Sequence, residues 1–399
     1  MSNFSLNIKA STWNRDSYNL YDYESRSTTK SNITVKETSC LYRHGRQITS
    51  YVPTNLPQEN QTKLLIQLLK HENHFLLISP SQAPSSQAEE ELWLCIKGMK
   101  VPQNKYRLGE GDIIRLGRVQ MRVKEVKGYS MSSKQNEVQA LQLSQGGLGQ
   151  SFICQENSEK PLVVEPFESE GACRICLSEE ETEEDPLIHP CKCSGTMGLV
   201  HLFCLKHWLT CKVACKQHNN SCTYSWKNLQ CELCKMRYPH QLEIKGVICD
   251  IIGVAKPENN YVVLEAIGSD PNAPKTLYVI NLDKKETVKL GRGHESDIRI
   301  SDISVSRNHA VIRVTRTGLY LEDNESKFGT LVRINKPIIL NKGSNLCVQA
   351  GRSLIQFNFK KNFKLLSCFS CGKANGESTP ESREHSMREI TEEGFQSNP

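Results

Sequence analysis

Short runs that alternate apolar and polar residues dominate the chain, and they predict strands. Between residues 275 and 360 they recur as Thr276 to Leu282, Thr287 to Leu290, Asp297 to Ile300, Ala310 to Thr315, Leu319 to Leu321 and Leu354 to Phe359. In the last run Ile355, Phe357 and Phe359 share one face, and Gln356 and Asn358 share the other. Turn clusters such as GRGHESD and EDNESKFG separate the runs. Regular short strands with no helix between them predict a β-sandwich. Upstream, Leu64 to Leu69, Phe75 to Ser79 and Leu92 to Ile96 predict further strands. There is also an internal echo: Leu108, Gly111, Gly117 and Arg118 align with Leu340, Gly343, Gly351 and Arg352, with two residues fewer between the glycines. Both segments read as a turn followed by a closing hairpin. Residues 1–30, rich in Ser, Asn, Thr and Tyr, read as poorly ordered.

Composition narrows the class. A chain of 399 residues holds two or three domains. No stretch of eighteen apolar residues occurs, which excludes a helical membrane span, and no apolar signal-type segment stands at the N-terminus. A net charge of +6 with no basic run indicates no nucleic-acid surface. The acidic run from Glu179 to Asp185 reads as a solvated loop.

Seventeen cysteines change the picture. Eight metal-ligand residues stand in one ordered series: Cys173, Cys176, Cys191, Cys193, His201, Cys204, Cys231 and Cys234. The gaps are two residues, fourteen, one, seven, two, twenty-six and two. Structural zinc takes four N/S ligands, and a two-residue gap lets both thiolates of a turn reach one ion. The series therefore makes two complete shells. Interleaving assigns Cys173, Cys176, His201 and Cys204 to one Zn²⁺, and Cys191, Cys193, Cys231 and Cys234 to the other. Such thiolates must stay reduced, which points to the cytoplasm or nucleus. His207, Cys211, Cys215, His218 and Cys222 lie in the long gap. They read as thiols and imidazoles of an inserted loop, with a third metal site as the lesser reading.

The segments CRIC, HPCKCSGTMGLVHLFCLKHWL and CELCK resemble the RING-CH finger, the variant RING of a ubiquitin-ligase family. A PHD finger shares the ligand order. Three features argue against it: the single residue Lys192 between the third and fourth cysteines, the seven residues before His201, and Leu229 where that finger carries tryptophan. The resemblance implies a module that holds a ubiquitin-charged conjugating enzyme and restrains the thioester, a gain in positioning. It places enzyme docking on Ile175, Trp208 and Leu233, and a basic contact to enzyme and ubiquitin on Lys235. Packing around the zinc loops competes for Ile175 and Trp208.

The loops KLGRGHESDIRISDISVSRNHA and EDNESKFGTLV resemble those of the forkhead-associated (FHA) domain. That resemblance implies binding of phosphothreonine proteins. Arg292 and Ser306 stand at the phosphate positions, Arg307 and Lys327 at positions of further contact, and Gly291, His309, Gly329 and Thr330 at positions that brace the loops. Guanidinium forks suit phosphate oxygens. Phe328 stands where many FHA domains have asparagine, which leaves peptide selectivity open.

The fold class expected is multidomain: a small zinc-stapled α+β RING-CH finger plus an all-β FHA sandwich, with a degenerate FHA-like β domain on the N-terminal side. An unrelated β domain fits that N-terminal stretch nearly as well. The expected map is a poorly ordered region at 1–59, the FHA-like domain at 60–127, a linker at 128–168, the RING-CH finger at 169–242, the FHA domain at 250–362 and a disordered tail at 363–399. The reading is a soluble ubiquitin ligase with two Zn²⁺. Its partners would be a ubiquitin-conjugating enzyme, ubiquitin and phosphothreonine clients. The alternative is a non-catalytic, phospho-dependent scaffold with a structural zinc finger.

Overall fold

The computed structural model describes residues 5–15, 20–54, 62–80, 91–96, 105–128, 161–164, 171–227, 229–268, 273–341, 343 and 345–359. The tail expected at 363–399 lies outside them, as does most of the linker. The N-terminal third supplies β1 (Leu6–Trp13), β2 (Thr28–Val35), β3 (Ser39–His44), β4 (Gln47–Tyr51), β5 (Thr62–Lys70), β6 (Phe75–Ile78), β7 (Leu92–Cys95), β8 (Tyr106–Leu108), β9 (Ile113–Leu116) and β10 (Val119–Lys127). The metal-ligand region adds β11 (Leu162–Val163), β12 (Leu187–Ile188), β13 (Val200–His201), helix α1 (Leu202–Thr210), β14 (Ala214–His218), β15 (Ser221–Trp226), β16 (Gln241–Ile244) and β17 (Val247–Asp250). The C-terminal third holds β18 (Tyr261–Ile267), β19 (Lys275–Asn281), β20 (Thr287–Gly291), β21 (Ile298–Arg299), β22 (Ala310–Thr315), β23 (Gly318–Asp323), β24 (Thr330–Arg333), β25 (Ile338–Leu340), β26 (Asn345–Ala350) and β27 (Ser353–Phe359).

These strands form two sandwiches of matching strand order, and each is built from both ends of the chain. The C-terminal sandwich pairs the sheet β21-β20-β22-β23-β8 with the run β19-β18-β10-β9-β24. The N-terminal sandwich pairs β4-β3-β5-β6-β25 with β2-β1-β27-β26-β7. Strands β8–β10 thus complete the C-terminal sandwich, and β25–β27 complete the N-terminal one. Antiparallel pairing of β7 with β24, Leu94 opposite Val332, fuses two of the sheets into a single sheet of twelve strands. The echo in the sequence has its counterpart here. Gly111 and Gly343 both take left-handed backbone (φ 84° and 92°), as do Gly117 and Gly351 (φ 60° and 50°), in equivalent turns.

Three expected boundaries need correction. The described residues of the stretch 1–59 are not poorly ordered, because β1–β4 are paired strands whose Leu6, Ile8 and Leu41 are buried. Residues 60–127 are not a domain of their own. The alternation that predicted their strands was sound, but pattern carries no information on which sheet a strand joins. Residues 250–362 are likewise not self-contained. Within the expected linker, Leu162–Val163 form a strand parallel to β16.

The zinc region is grafted onto the same sheet. The β14–β15 hairpin turns at Asn219 (φ 49°), and β15 pairs with β19 from Ser221 opposite Ile280 to Trp226 opposite Lys275. The stretch expected as an inserted loop is therefore an edge hairpin.

The exchange of strands is directly testable. Lys9 and Gln356 are exposed partners in the β1–β27 ladder. Directly opposed strand residues lie about 4.5–5.5 Å apart, within disulfide range. The double variant Lys9→Cys, Gln356→Cys should form an intrachain bond on mild oxidation, read by peptide mapping of the monomer. No bond between residues 9 and 356 would mean that β27 closes its own sandwich.

Candidate functional site

The two CxxC turns fold alike. The Cys173 carbonyl accepts the Leu177 N–H at 2.8 Å, and the Cys173 N–H donates to the Ser178 carbonyl at 2.9 Å. Cys231 repeats this with Lys235 at 3.0 Å and Met236 at 2.9 Å. In each turn the residue after the second cysteine is left-handed, Leu177 at φ 63° and Lys235 at φ 59°. Lys235 is thereby fixed on the rim of its turn.

These turns bring all eight ligand candidates together in the expected sets. In each set the four donor atoms lie within 4.8 Å of one another. A tetrahedral zinc–thiolate site spaces its sulfurs by roughly 3.8 Å, so both clusters fit the ion. His201 is buried, with Nδ1 3.2 Å from the Cys176 sulfur and Nε2 donating to the Glu180 carbonyl at 2.9 Å. That second bond sets the tautomer and turns Nδ1 toward the cluster. The thiols differ in acidity. Burial pushes Cys231 up, but the N–H groups of Cys234 and Leu233 outweigh it and bring it down to about 5. Cys191 is pushed up to about 12, by burial first and then by the Cys193 and Cys231 thiols. Thiolates packed this closely repel one another, so a cation among them favours their joint ionisation. Among the described residues, Cys211, Cys215, His218 and Cys222 form no such cluster.

Arg174 was not legible as a site residue. Its guanidinium donates to the Met197 carbonyl at 2.8 Å and to Tyr238 Oη at 3.1 Å, and lies 3.8 Å from the sulfurs of Cys193 and Cys231. A cation there offsets the negative charge of a four-thiolate site. The CRIC motif contained it, but only the fold brings it from the first ligand turn over the second cluster.

The three expected docking residues differ in exposure. Ile175 is 42% and Leu233 56% exposed. Trp208 is only partly exposed: its ring meets Tyr238 edge-on at 6.4 Å and is covered by the Lys212 ammonium at 3.7 Å. Lys212 also pairs with Glu232 at 2.5 Å. It thus ties the tryptophan face to the last ligand turn, which carries Leu233.

In the C-terminal sandwich the β20–β21, β21–β22 and β23–β24 loops converge. Gly291 is required by close approach, since a Cβ there would lie 2.0 Å from the Arg307 carbonyl oxygen. The Arg292 N–H donates to the Ser306 carbonyl at 3.1 Å, and the Lys327 N–H to Ser306 Oγ at 3.2 Å. His309 is fully buried. Its Nδ1 accepts the Ser306 N–H at 3.0 Å, so its Nε2 donates to the Gly329 carbonyl at 3.1 Å. Thr330 donates to Asp323 at 2.6 Å. Arg292, Arg307 and Lys327 are exposed around Ser306.

Residues far away in sequence also hold these loops. From the β9–β10 turn, Arg118 pairs with Asp302 at 3.1 Å, and its N–H donates to Ser304 Oγ at 2.9 Å. From the turn of the zinc-region hairpin, Ser221 Oγ donates to the Asp297 carbonyl at 2.7 Å.

A family model for the RING-variant domain matches residues 173–234, and one for the FHA domain matches residues 288–348. The chain carries a RING-variant domain and an FHA domain. The RING-variant domain accounts for both metal clusters, since fingers of this type bind two zinc ions. The chain is 40% identical over 75 residues to the E3 ubiquitin-protein ligase marc-3 of Caenorhabditis elegans, covering 17% of this chain and 14% of that protein. It is 37% identical over 79 residues to E3 ubiquitin-protein ligase MARCHF3 of Xenopus tropicalis, covering 20% and 25%. With E3 ubiquitin-protein ligase MARCHF8 of Bos taurus it shares 31% over 118 residues, 30% and 33%. The chain therefore spans only between 14% and 33% of the length of these relatives. Among the described residues no helix is long and apolar enough to cross a membrane.

Metal analysis of the purified chain should give two zinc ions. One ion would dissolve a shell, and three would put metal on Cys211, Cys215, His218 and Cys222. Arg174→Ala leaves every ligand in place, yet it should weaken zinc retention about 10–100-fold, the usual effect of removing a group that supports ligands. Competition with a chromophoric chelator measures it.

Proposed function

We propose that this chain is a ubiquitin ligase of the RING-CH type that selects phosphothreonine-containing clients through its FHA domain. The observation that carries the reading is the joining of both modules by one sheet. The zinc region enters the twelve-stranded sheet through β15, and Ser221 in its hairpin touches the carbonyl of Asp297 behind the phosphate-side loop. The RING-variant domain, together with the chain's similarity to three proteins named as E3 ligases, supports the transfer activity.

On this reading Ile175 and Leu233, exposed on the two ligand turns, receive the conjugating enzyme together with Trp208, which packs on Tyr238. Lys235 stands beside the docked enzyme and ubiquitin. No residue of the finger forms a bond to ubiquitin; the finger restrains the thioester so that a client lysine can attack it. The client is held by its phosphate, with Arg292 and Ser306 as first contacts and Arg307 and Lys327 beside them. The two sites are joined by a ladder of backbone hydrogen bonds rather than by a flexible tether. Client lysines at a suited distance from the phosphothreonine are therefore favoured. The proposed setting is the cytoplasm or nucleus.

Leu233→Ala and Ile175→Ala should each abolish ubiquitin transfer with zinc content unchanged, because both side chains are exposed rather than part of the core. Trp208→Ala is a poorer probe, since it also removes packing against Tyr238. A wild-type chain inert with every conjugating enzyme tried would favour the scaffold reading. Separately, Arg292→Ala should weaken phosphothreonine-peptide binding by about 2–5 kcal/mol, read by calorimetry. Equal binding of phosphorylated and plain peptide would reduce the sandwich to a structural brace.

A further inference from the structure

Residues 20–27, which lead into β2 of the N-terminal sandwich, reach the loops around Ser306 in the C-terminal one. Tyr23 packs against Gly329, where an added Cβ would come 2.9 Å from its ring and where φ is +75°. The Tyr23 hydroxyl donates to Gln349, and Trp13 stacks on Tyr21 at 5.0 Å and meets Tyr23 edge-on at 5.3 Å. Between the two tyrosines stands Asp22. Its carbonyl accepts the Trp13 Nε1–H at 2.8 Å, and its Oδ1 accepts the Glu24 N–H at 2.9 Å. Its other carboxylate oxygen lies 3.7 Å from Lys327 Nζ. The carboxylate is thus held in place at the rim of the phosphate-side loops.

We propose that Asp22 is a specificity residue of the phosphopeptide site, receiving a basic side chain that flanks the phosphothreonine. This rests on the phosphate-reading function proposed above. The Asp22–Lys327 contact is loose, and both side chains are solvated, 37% and 60% exposed. A pair of this kind contributes little and exchanges partners readily. A phosphate carries close to two negative charges against one on Asp22, so bound phosphate draws Lys327 toward itself. That leaves a fixed carboxylate, with no cation of its own, beside the peptide. Phe328 offers the peptide no polar side-chain contact on this side. A lysine or arginine of the ligand complements Asp22, and a glutamate or aspartate in the same place is repelled. The selecting charge comes from the other sandwich, outside the segment that matches the FHA domain.

The test uses the full chain with three phosphothreonine peptide sets, in which positions flanking the phosphothreonine are scanned with lysine, alanine or glutamate, and with unphosphorylated versions. Titration of the wild type should show a preference of about two- to five-fold for lysine over alanine at one flanking position, the range of exposed ion pairs. The preference should shrink at high salt. Asp22→Asn should abolish it while binding of the alanine peptide stays within twofold, and Asp22→Lys should reverse it in favour of glutamate. A lysine preference that persists in Asp22→Asn overturns the proposal. So does a uniform gain in affinity for all phosphopeptides in that variant, which would make Asp22 only a competitor for Lys327. Indifference to phosphorylation in every set would instead overturn the phosphate reading itself, and the assignment of Asp22 with it.

Discussion

The backbone ladder between β7 and β24 governs the architecture. Leu94 faces Val332 across the junction of the two sandwiches, and from that line each half sends its last three strands into the other. The consequence is energetic as well as topological. Ile113, Ile114 and Leu116 of β9 are all essentially buried, in a sheet completed by strands from residues 261–333. Burial of three such side chains contributes at most about 5–9 kcal/mol. That is comparable with the whole stability of a typical domain, about 5–15 kcal/mol. Neither half keeps its core without the other.

The same exchange braces the loops around Ser306. Arg118, on the turn carried across with β9 and β10, holds Asp302 and Ser304 beneath the loop that presents Ser306. Tyr23 seals Gly329 from the far sandwich, and Ser221 braces Asp297 from the zinc region. A loop proposed to hold phosphate gains from such support, because its exposed arginines supply the charge while buried neighbours supply the geometry. His309 is the clearest case: fully buried, it joins the Ser306 N–H to the Gly329 carbonyl.

Local features of the chain were legible wherever their cause is local. The ligand series from Cys173 to Cys234 is read from spacing because a two-residue gap nearly dictates its own turn, and the structure brings those residues into the expected two groups. The strands from Thr276 to Phe359 follow their alternation. What stayed hidden is pairing at long range. Residues 1–59 looked disordered because their composition is polar, yet strands of mixed composition are stable when one face is buried, as in β1. The glycine echo at Gly111/Gly343 and Gly117/Gly351 exposed equivalent turns without revealing that the hairpins trade places, since the same hairpin fits either sandwich equally well by pattern. Arg174, Asp22 and Tyr23 carry no motif and gain their roles only from where the fold puts them.

Native-state hydrogen exchange, resolved by strand, tests the exchanged architecture most directly. If each sandwich is completed by the other half, amides of β10 should share the opening free energy of β18, their ladder partner, and amides of β27 should share that of β1. Amides of β8–β10 that exchange as one unit with β5–β7, independently of β18–β24, would contradict it.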